Sequence, residues 1–294
     1  MSDDLHKRLE RYLTTPLLPA VDEHAGDKRT RKRVAHVSPP AGSAQRVALE
    51  VAVPGYAVRV PEQGHAYKVI TPLREGSDSV RLNADFAAAF STSDTPAQQR
   101  LHARCGATAL AEELLLFDLE TTGLGNTPLF LIGALSWEQD ELVIRQFLAR
   151  DYGEEAAVIQ LFLTLAAEKR FFITFNGASF DLPMLYQRTT AHDIPSVWHA
   201  HHFDLLHECR RVWRNELPNC QLQTLEQQIC GHPLREDDIP GESIPAVYQA
   251  FARNGNAVQM AQIMRHNRQD LVTMADLLTK LPALGTTDYT DCTD

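Results

Sequence analysis

The sequence predicts an α/β protein in which a mixed central sheet is flanked by helices. Three apolar, strand-like runs follow one another between residues 114 and 148, which indicates an antiparallel group of strands. Helical spacing and a further apolar strand then alternate, and the rest of the chain is mainly helical. The predicted strands are Leu114–Glu120, Leu129–Trp137, Glu141–Leu148 and Phe171–Phe175, and the predicted helices are Glu154–Arg170, Leu182–Thr189, Asp204–Trp213, Leu222–Cys230, Ile244–Arg253 and Ala257–Leu281.

The first 111 residues differ from this pattern. Residues 1–45 read as an amphipathic helix followed by a basic, weakly ordered arm that Pro and Gly interrupt. The basic cluster Lys28–Arg33 fits phosphate contact, but a solvated linker is the favoured interpretation. Residues 46–111 read as a small β-containing extension, with antiparallel strands at Val47–Val53, Tyr56–Val60 and Ala66–Thr71. Residues 112–284 form the main α/β domain of this prediction, and residues 285–294 a flexible acidic tail.

Composition limits the class of protein. The chain has 294 residues, of which 44% are hydrophobic and 22% charged, as in ordinary globular proteins. No apolar run is long enough to cross a bilayer and the first residues do not look like a signal peptide, so we expect a cytoplasmic location and no membrane partner. The five cysteines form no CxxC pair, which argues against a disulfide framework and a structural zinc site. The net charge of −10 disfavours non-specific nucleic-acid binding but is compatible with a nucleic-acid enzyme, because active-site carboxylates and bound metal would account for part of it.

The run Leu114–Gly123 carries two acids on an otherwise apolar strand. Asp118 and Glu120 are two residues apart, so their side chains project from the same face of the strand. Two like charges on a buried strand need a partner that neutralises them. Carboxylate oxygens suit a divalent cation, and the pair therefore predicts half of a metal site.

Two further segments supply candidates for the other half. Asp181 follows the strand end Phe175-Asn176-Gly177 and begins a predicted helix, where a carboxylate also has a plain stabilising role at the helix N-terminus. His266 and Asp270 are four residues apart on the last predicted helix and share one face, as an ordinary surface pair would. In combination with Asp118 and Glu120, metal binding becomes the favoured interpretation of Asp181. For His266 and Asp270 the surface pair stays an open interpretation, since Asp276 shows that acids are not rare on this helix.

These motifs resemble the DEDD (DnaQ-like) exonuclease superfamily. Asp-x-Glu on a strand, Asn-Gly-x-x-Phe-Asp after a later strand and His-Asn-x-x-Asp on a C-terminal helix occur in the order typical of that group. The resemblance covers residues 114 to 281 and implies a ribonuclease-H-like DEDD exonuclease domain. It also implies that Asp118, Glu120, Asp181 and Asp270 are metal ligands and that His266 is the catalytic base.

Within this superfamily the chain is most similar to the YprB-like ribonuclease-H-like proteins, whose pattern the run Ile239–Pro245 followed by Tyr248 also resembles. One feature departs from the superfamily. The histidine branch usually has its base five residues before the last Asp, whereas His266 precedes Asp270 by four, the spacing of the tyrosine branch. We therefore expect His266 to lie on the same helix as Asp270.

Other residues near these motifs are candidates for binding the substrate. They are Thr121, Thr122, Asn176, Asp204, Arg210 and Arg214, although a plain turn, a helix start or solvated surface explains them equally well. The histidines of Trp198–Asp204 suggest zinc, but their spacing to Asp204 does not match that of metallohydrolases.

The function expected from the resemblance is metal-dependent hydrolysis of nucleic-acid phosphodiesters. The reaction would be a 3′–5′ exonuclease action on single-stranded DNA or RNA ends, with two Mg²⁺ or Mn²⁺ ions held by the four carboxylates. Two alternatives stay open at this point: a structure-directed endonuclease of the same fold, and a catalytically silent nucleic-acid-binding or scaffolding protein.

Overall fold

The computed structural model describes residues 46–285, apart from residues 124, 126, 197, 198 and 236. The predicted N-terminal helix and basic arm lie outside the described residues, and so does the acidic tail from residue 286. The domain boundaries given above therefore stay predictions.

A seven-stranded mixed sheet forms the centre of the described region. Its strands lie in the spatial order β1-β2-β5-β4-β3-β6-β7. All neighbouring pairs are antiparallel except β3–β6 and β6–β7, which are parallel. The strands are β1 (Tyr56–Val60), β2 (Gly64–Pro72), β3 (Leu114–Thr121), β4 (Leu129–Glu138), β5 (Glu141–Leu148), β6 (Phe171–Thr174) and β7 (His201–Asp204).

Nine α-helices accompany the sheet in the described part of the chain. They are α1 (Leu49–Ala52), α2 (Ser77–Ala89), α3 (Pro96–Cys105), α4 (Glu155–Ala166), α5 (Asp181–Ala191), α6 (Leu205–Trp213), α7 (Leu222–Leu225), α8 (Ile244–Asn254) and α9 (Val258–Lys280). A π-helical turn, Glu226–Cys230, continues α7.

Local sequence explains several of these boundaries. The turn between β4 and β5 has Gln139 and Asp140 at φ of 50° and 64°, which matches the right-handed twist of the two strands. Helix α3 starts with the Thr95 side chain accepting the Gln98 N–H and ends at Gly106 in the left-handed region.

The core consists of two apolar clusters, and β3 contributes to both. Leu115 and Phe117 belong to one cluster, and Leu114 and Leu116 to the other, as the alternation of a strand requires. Helix α9 also contributes to both clusters, with Met260–Met264 in the first and Leu271–Leu278 in the second. This packing fixes the middle of α9, residues 265–270, against β3 and β4.

The predicted fold class, a mixed sheet flanked by helices, is confirmed, and some local predictions are corrected. The β-branched run Val47–Val53 forms helix α1 rather than a strand, because burying Leu49 and Val53 outweighs local propensity. The strands β1 and β2 do not form a separate meander; β2 pairs with β5 and extends the main sheet. Strand β7 and helices α2 and α3 were not predicted.

Candidate metal centre

Strand β3 carries the two acids that the sequence pattern singled out. Its first four residues, Leu114–Phe117, are fully buried, whereas Asp118 and Glu120 are half-buried. The register sets Asp118 opposite Gly133 of β4, and Glu120 opposite Leu131. Both carboxylates therefore lie on one face of the sheet, near the end of a central strand.

Asp181 is the first residue of α5 and is 3% exposed. Its Oδ1 accepts the N–H of Leu119 at 3.1 Å, which is the peptide between the two strand acids. The start of α5 is thereby tied to β3, and the third carboxylate lies beside the first two. The helix-start and metal-site interpretations of Asp181 do not exclude each other in this geometry.

Helix α9 brings in the remaining pair. His266 and Asp270 both lie within Val258–Lys280, so the expectation that they share one helix is met. Nε2 of His266 lies 3.4 Å from Oδ2 of Asp270, and the two side chains are 14% and 15% exposed. The five residues that the resemblance selected are thus gathered around one end of β3.

The electrostatics of this cluster are unfavourable without a bound cation. Burial raises the pKa of Asp118 well above its ordinary value, and the charges of Asp181 and Asp270 raise it further. The pKa of Glu120 is also raised by burial and then by Asp118. Burial raises the pKa of Asp181 to about 7, and that of Asp270 is raised despite the opposing charges of His266 and Arg235. Cations that bind here must displace protons, so we expect their affinity to increase with pH.

A pair of buried amides braces Asp118. Nδ2 of Asn267 donates to Oδ2 of Asp118 at 2.9 Å. Nε2 of Gln146, on β5, donates in turn to Oδ1 of Asn267 at 2.8 Å and to the Met264 carbonyl at 2.8 Å. The sequence motifs did not select Gln146 and Asn267 as site residues. Gln146 could have been noticed as an amide among the apolar residues of β5, and Asn267 as the Asn of the His-Asn-x-x-Asp motif.

Gly133 of β4 leaves no room for a side chain beside Asn267. A Cβ added there would lie 2.0 Å from Oδ1 of Asn267 and 2.7 Å from its Cγ. We expect Gly133→Ala to lower the free energy of unfolding by about 1–3 kcal/mol, because α9 or Asn267 must move. Urea denaturation measures this loss. Gly241→Ala is the matched control, since a Cβ there meets nothing within 4 Å. Equal stability of the two variants would contradict the close packing of α9 on β4.

The loop between the π-helical turn and α8 adds two residues that sequence reasoning missed. Oδ1 of Asp238 lies 2.8 Å from Nδ1 of His266. Nη2 of Arg235 donates to Oδ1 of Asp270 at 2.6 Å, and its Nε donates to Oε2 of Glu226 at 2.7 Å. No regular motif marks these loop residues in the sequence.

Arg235 therefore supplies the positive charge at one edge of the cluster. Its side chain is 11% exposed, and its Nη1 is buried without a hydrogen-bond partner, 3.6 Å from Asp238. One oxygen of Asp270 is bonded to Arg235 and the other faces His266. Among the described residues, no group of three or more Asp, Glu, His or Cys side chains is arranged, as the side chains stand, so that it could hold a metal ion.

The candidates for substrate binding have local roles in the structure. Thr121 and Thr122 donate their hydroxyls to the carbonyls of Gly123 and Pro128 within the turn after β3. Asn176 has a φ of 65° and forms the turn before α5.

Asp204 accepts the N–H groups of Asn176, Ala178 and Leu206, which supports its interpretation as the helix-start residue of α6. Arg210 and Arg214 are exposed near the end of α6. Substrate contact by any of these six residues stays a prediction.

Comparison with known proteins identifies the family. A model of the RNase_H superfamily matches residues 115–282, more than half of the chain. The chain belongs to the RNase H superfamily. The superfamily match extends from the beginning of β3 to just beyond α9, and includes all four candidate carboxylates and His266.

Two individual proteins resemble this superfamily member. It is 32% identical over 169 residues to "Uncharacterized protein YprB" of Bacillus subtilis (strain 168), over 56% of this chain and 40% of YprB. The resemblance to YprB-like proteins is thereby confirmed. A family B DNA polymerase of Pyrobaculum calidifontis aligns with a TM-score of 0.46 and 18% identity, over 64% of this chain and 31% of the polymerase. The chain thus spans less than half the length of either protein.

Membership of the RNase H superfamily, together with the mixed seven-stranded sheet, supports a nuclease fold. In the part of the chain that the structure describes, no helix is sufficiently long and apolar to span a bilayer.

Proposed function

We propose that this chain is a divalent-metal-dependent 3′–5′ exonuclease that acts on single-stranded nucleic-acid ends. The observation that carries the proposal is the convergence of Asp118, Glu120, Asp181 and Asp270, from three separate segments of the chain, at one end of β3. Such a set is costly as a purely structural device, since burial raises the pKa of Asp118 and of Glu120, and the charges of Asp181 and Asp270 raise both further. It suits a site that must hold strongly positive ions.

The donor set fits Mg²⁺ or Mn²⁺, because hard cations prefer carboxylate oxygens and the cluster contains no thiol. Asp118, Glu120, Asp181 and Asp270 would hold two ions. No hydrogen bond among the described residues engages the carboxylate of Glu120, so both of its oxygens are available. Bound ions of this kind activate water and stabilise the charge that develops on the phosphate and on the leaving oxygen.

His266 is suited to accept a proton beside this cluster. A hydrogen on Nδ1 that points to Asp238 leaves the lone pair on Nε2, on the side of Asp270. Asp238 thereby fixes both the ring orientation and the tautomer. Helix α9 holds the ring and Asp270 one turn apart, so the shorter spacing in this sequence still brings the base to the acids.

Hydrolysis of end-labelled single-stranded DNA and RNA tests the proposal. The oligonucleotides are labelled at the 5′ end in one set and at the 3′ end in another, and are incubated with Mn²⁺ and the wild-type chain or Asp118→Ala. We expect the 5′-labelled substrate to shorten progressively and the 3′ label to be released first as a mononucleotide. Both products should be absent with Asp118→Ala.

Other product patterns would contradict the exonuclease. Internal fragments, formed equally from a circular single strand, would indicate the endonuclease alternative. Failure to cut any substrate, together with unimpaired binding, would indicate the silent nucleic-acid-binding alternative. Equal cleavage by Asp118→Ala would assign the activity to a contaminant.

A further inference from the structure

We propose that the groove along α9, beside His266, is the binding channel for a single nucleic-acid strand, and that Arg265 and Arg268 hold its phosphates. This inference rests on the proposed function, since it assigns a substrate path to the same site. Neither arginine was a candidate from the sequence motifs.

The groove has a volume of about 540 Å³. One wall is the face of α9 that includes Gln262, Arg265, Gln269 and Val272, which recur at helical spacing. The opposite walls are the first turns of α2 and the loop that carries Arg235. His266 and Arg235 line the groove and also contact Asp270, so the groove lies next to the proposed catalytic site.

The charge of the groove differs from that of the whole chain. Its lining contains four arginines and two histidines against four aspartates, whereas the chain has a net charge of −10. Two of the aspartates are paired within the groove: Asp238 lies 3.6 Å from Arg235, and Asp276 lies 3.1 Å from His232 and 3.8 Å from Arg81. With four arginines and four aspartates, the groove is close to neutral within an acidic chain.

Arg265 and Arg268 are the uncompensated cations. Both are exposed, and no hydrogen bond or ion pair engages either of them among the described residues. They are three residues apart on α9, which sets their side chains next to each other on one face. Two neighbouring guanidinium groups with free donors suit the oxygens of successive phosphates.

The rest of the lining favours a single strand over a protein partner. Leu73, Leu82 and Val272 provide apolar surface inside the groove, and Leu234, at its edge, is 73% exposed. Bases of an unpaired strand have apolar faces that need such surface, while the phosphates need the arginines. Arg235 has a buried Nη1 that finds no hydrogen-bond partner among the described residues, while its Nη2 donates to Asp270.

Binding of a fluorescent single-stranded oligonucleotide tests this channel separately from hydrolysis. Anisotropy titrations are run in EDTA, with full-length wild type and the double variant Arg265→Ala/Arg268→Ala, over a series of salt concentrations. We expect the variant to bind about tenfold more weakly and the slope of log K against log salt to become shallower by about 1.4, since two phosphate contacts are lost. Arg265→Lys/Arg268→Lys should retain most of the slope.

The matched control is Arg59→Ala/Arg253→Ala, which removes two exposed and unpaired arginines outside the groove. Unchanged binding by the Arg265/Arg268 variant, or the same loss in the control, would overturn the channel. If wild type hydrolyses single strands but the Arg265/Arg268 variant binds normally, the proposed channel is wrong and the proposed exonuclease activity is supported. If wild type hydrolyses no substrate and the Arg265/Arg268 variant, but not the control, loses binding, the proposed exonuclease activity is wrong and the proposed channel is supported.

Discussion

Asp118→Asn is expected to reduce Mn²⁺-dependent hydrolysis by roughly 10³-fold, because a central ligand of the proposed metal pair loses its charge. The same substitution should stabilise the metal-free protein at pH 8. Burial and the other acids raise the pKa of Asp118 in the folded state, so ionisation of this group opposes folding above its unfolded pKa. A neutral amide removes that cost, and we expect a gain of about 1–2 kcal/mol in EDTA.

The size of this stability difference should depend on pH. Below the pKa that Asp118 has in the unfolded chain, its carboxyl is protonated in the folded and the unfolded state, and the stability advantage of asparagine disappears. This advantage grows as the pH rises towards the higher pKa of Asp118 in the folded state. Urea denaturation in EDTA at pH 5 and pH 8 measures the difference. Thermal unfolding with added Mn²⁺ gives a further check, because bound metal should raise the melting temperature of wild type more than that of the variant.

Asp140→Asn is the matched control for this experiment. Asp140 is exposed, lies in the turn between β4 and β5 and has a φ of 64°, which asparagine tolerates well. It should retain activity and show no pH-dependent gain. A destabilised Asp118→Asn variant in EDTA at pH 8 would contradict the charge repulsion that we infer for the cluster.

Arg235→Gln is expected to destabilise the metal-free protein by about 3 kcal/mol. The substitution removes the guanidinium shared by Glu226 and Asp270 and leaves two mostly buried carboxylates without their partner. Mn²⁺ should then restore stability, because the ion would take over the compensation of Asp270. The increase in melting temperature on adding Mn²⁺ should therefore be greater in the variant than in wild type.

Arg74→Gln provides the comparison. Arg74 pairs with Glu141 at the surface and is 65% exposed, so its loss should cost far less stability than the loss of Arg235. Its response to Mn²⁺ should equal that of wild type. If Arg235→Gln behaved like Arg74→Gln in both measurements, Arg235 would not be compensating the acid cluster.

Periodicity was sufficient for strands β3, β4, β5 and β6 and for the long helices of the main domain. The strand Glu141–Leu148 was predicted with the bounds it has in the structure, and α9 differs from its prediction by one residue at each end. These elements have strong, uninterrupted apolar patterns, so local sequence and tertiary packing agree. The acids on β3, α5 and α9 could be selected because a charge inside such a pattern needs an explanation.

The elements and residues that the sequence did not predict depend on contacts between distant parts of the chain. Strand β7 is only four residues long and contains two histidines, and its pairing with β6 depends on a distant part of the chain. Val47–Val53 has β-branched residues, yet the N–H of Ala257 bonds to the Val47 carbonyl and fixes the segment beside α9. Arg235 and Asp238 lie in a loop, and only the three-dimensional structure brings them to Asp270 and His266. Long-range contacts of this kind leave no periodic signal.

The pairing of β2 with β5 has a consequence for any attempt to express the superfamily domain alone. Six residue pairs join the two strands, and β1 continues the sheet beyond β2. A fragment that began at residue 112 would keep the pairing of β5 with β4 but would expose the other edge of this largely buried strand over the six residues that pair with β2. Open edges of this kind recruit further strands from other molecules, so such a fragment should self-associate. A fragment that begins at residue 46 keeps the edge covered.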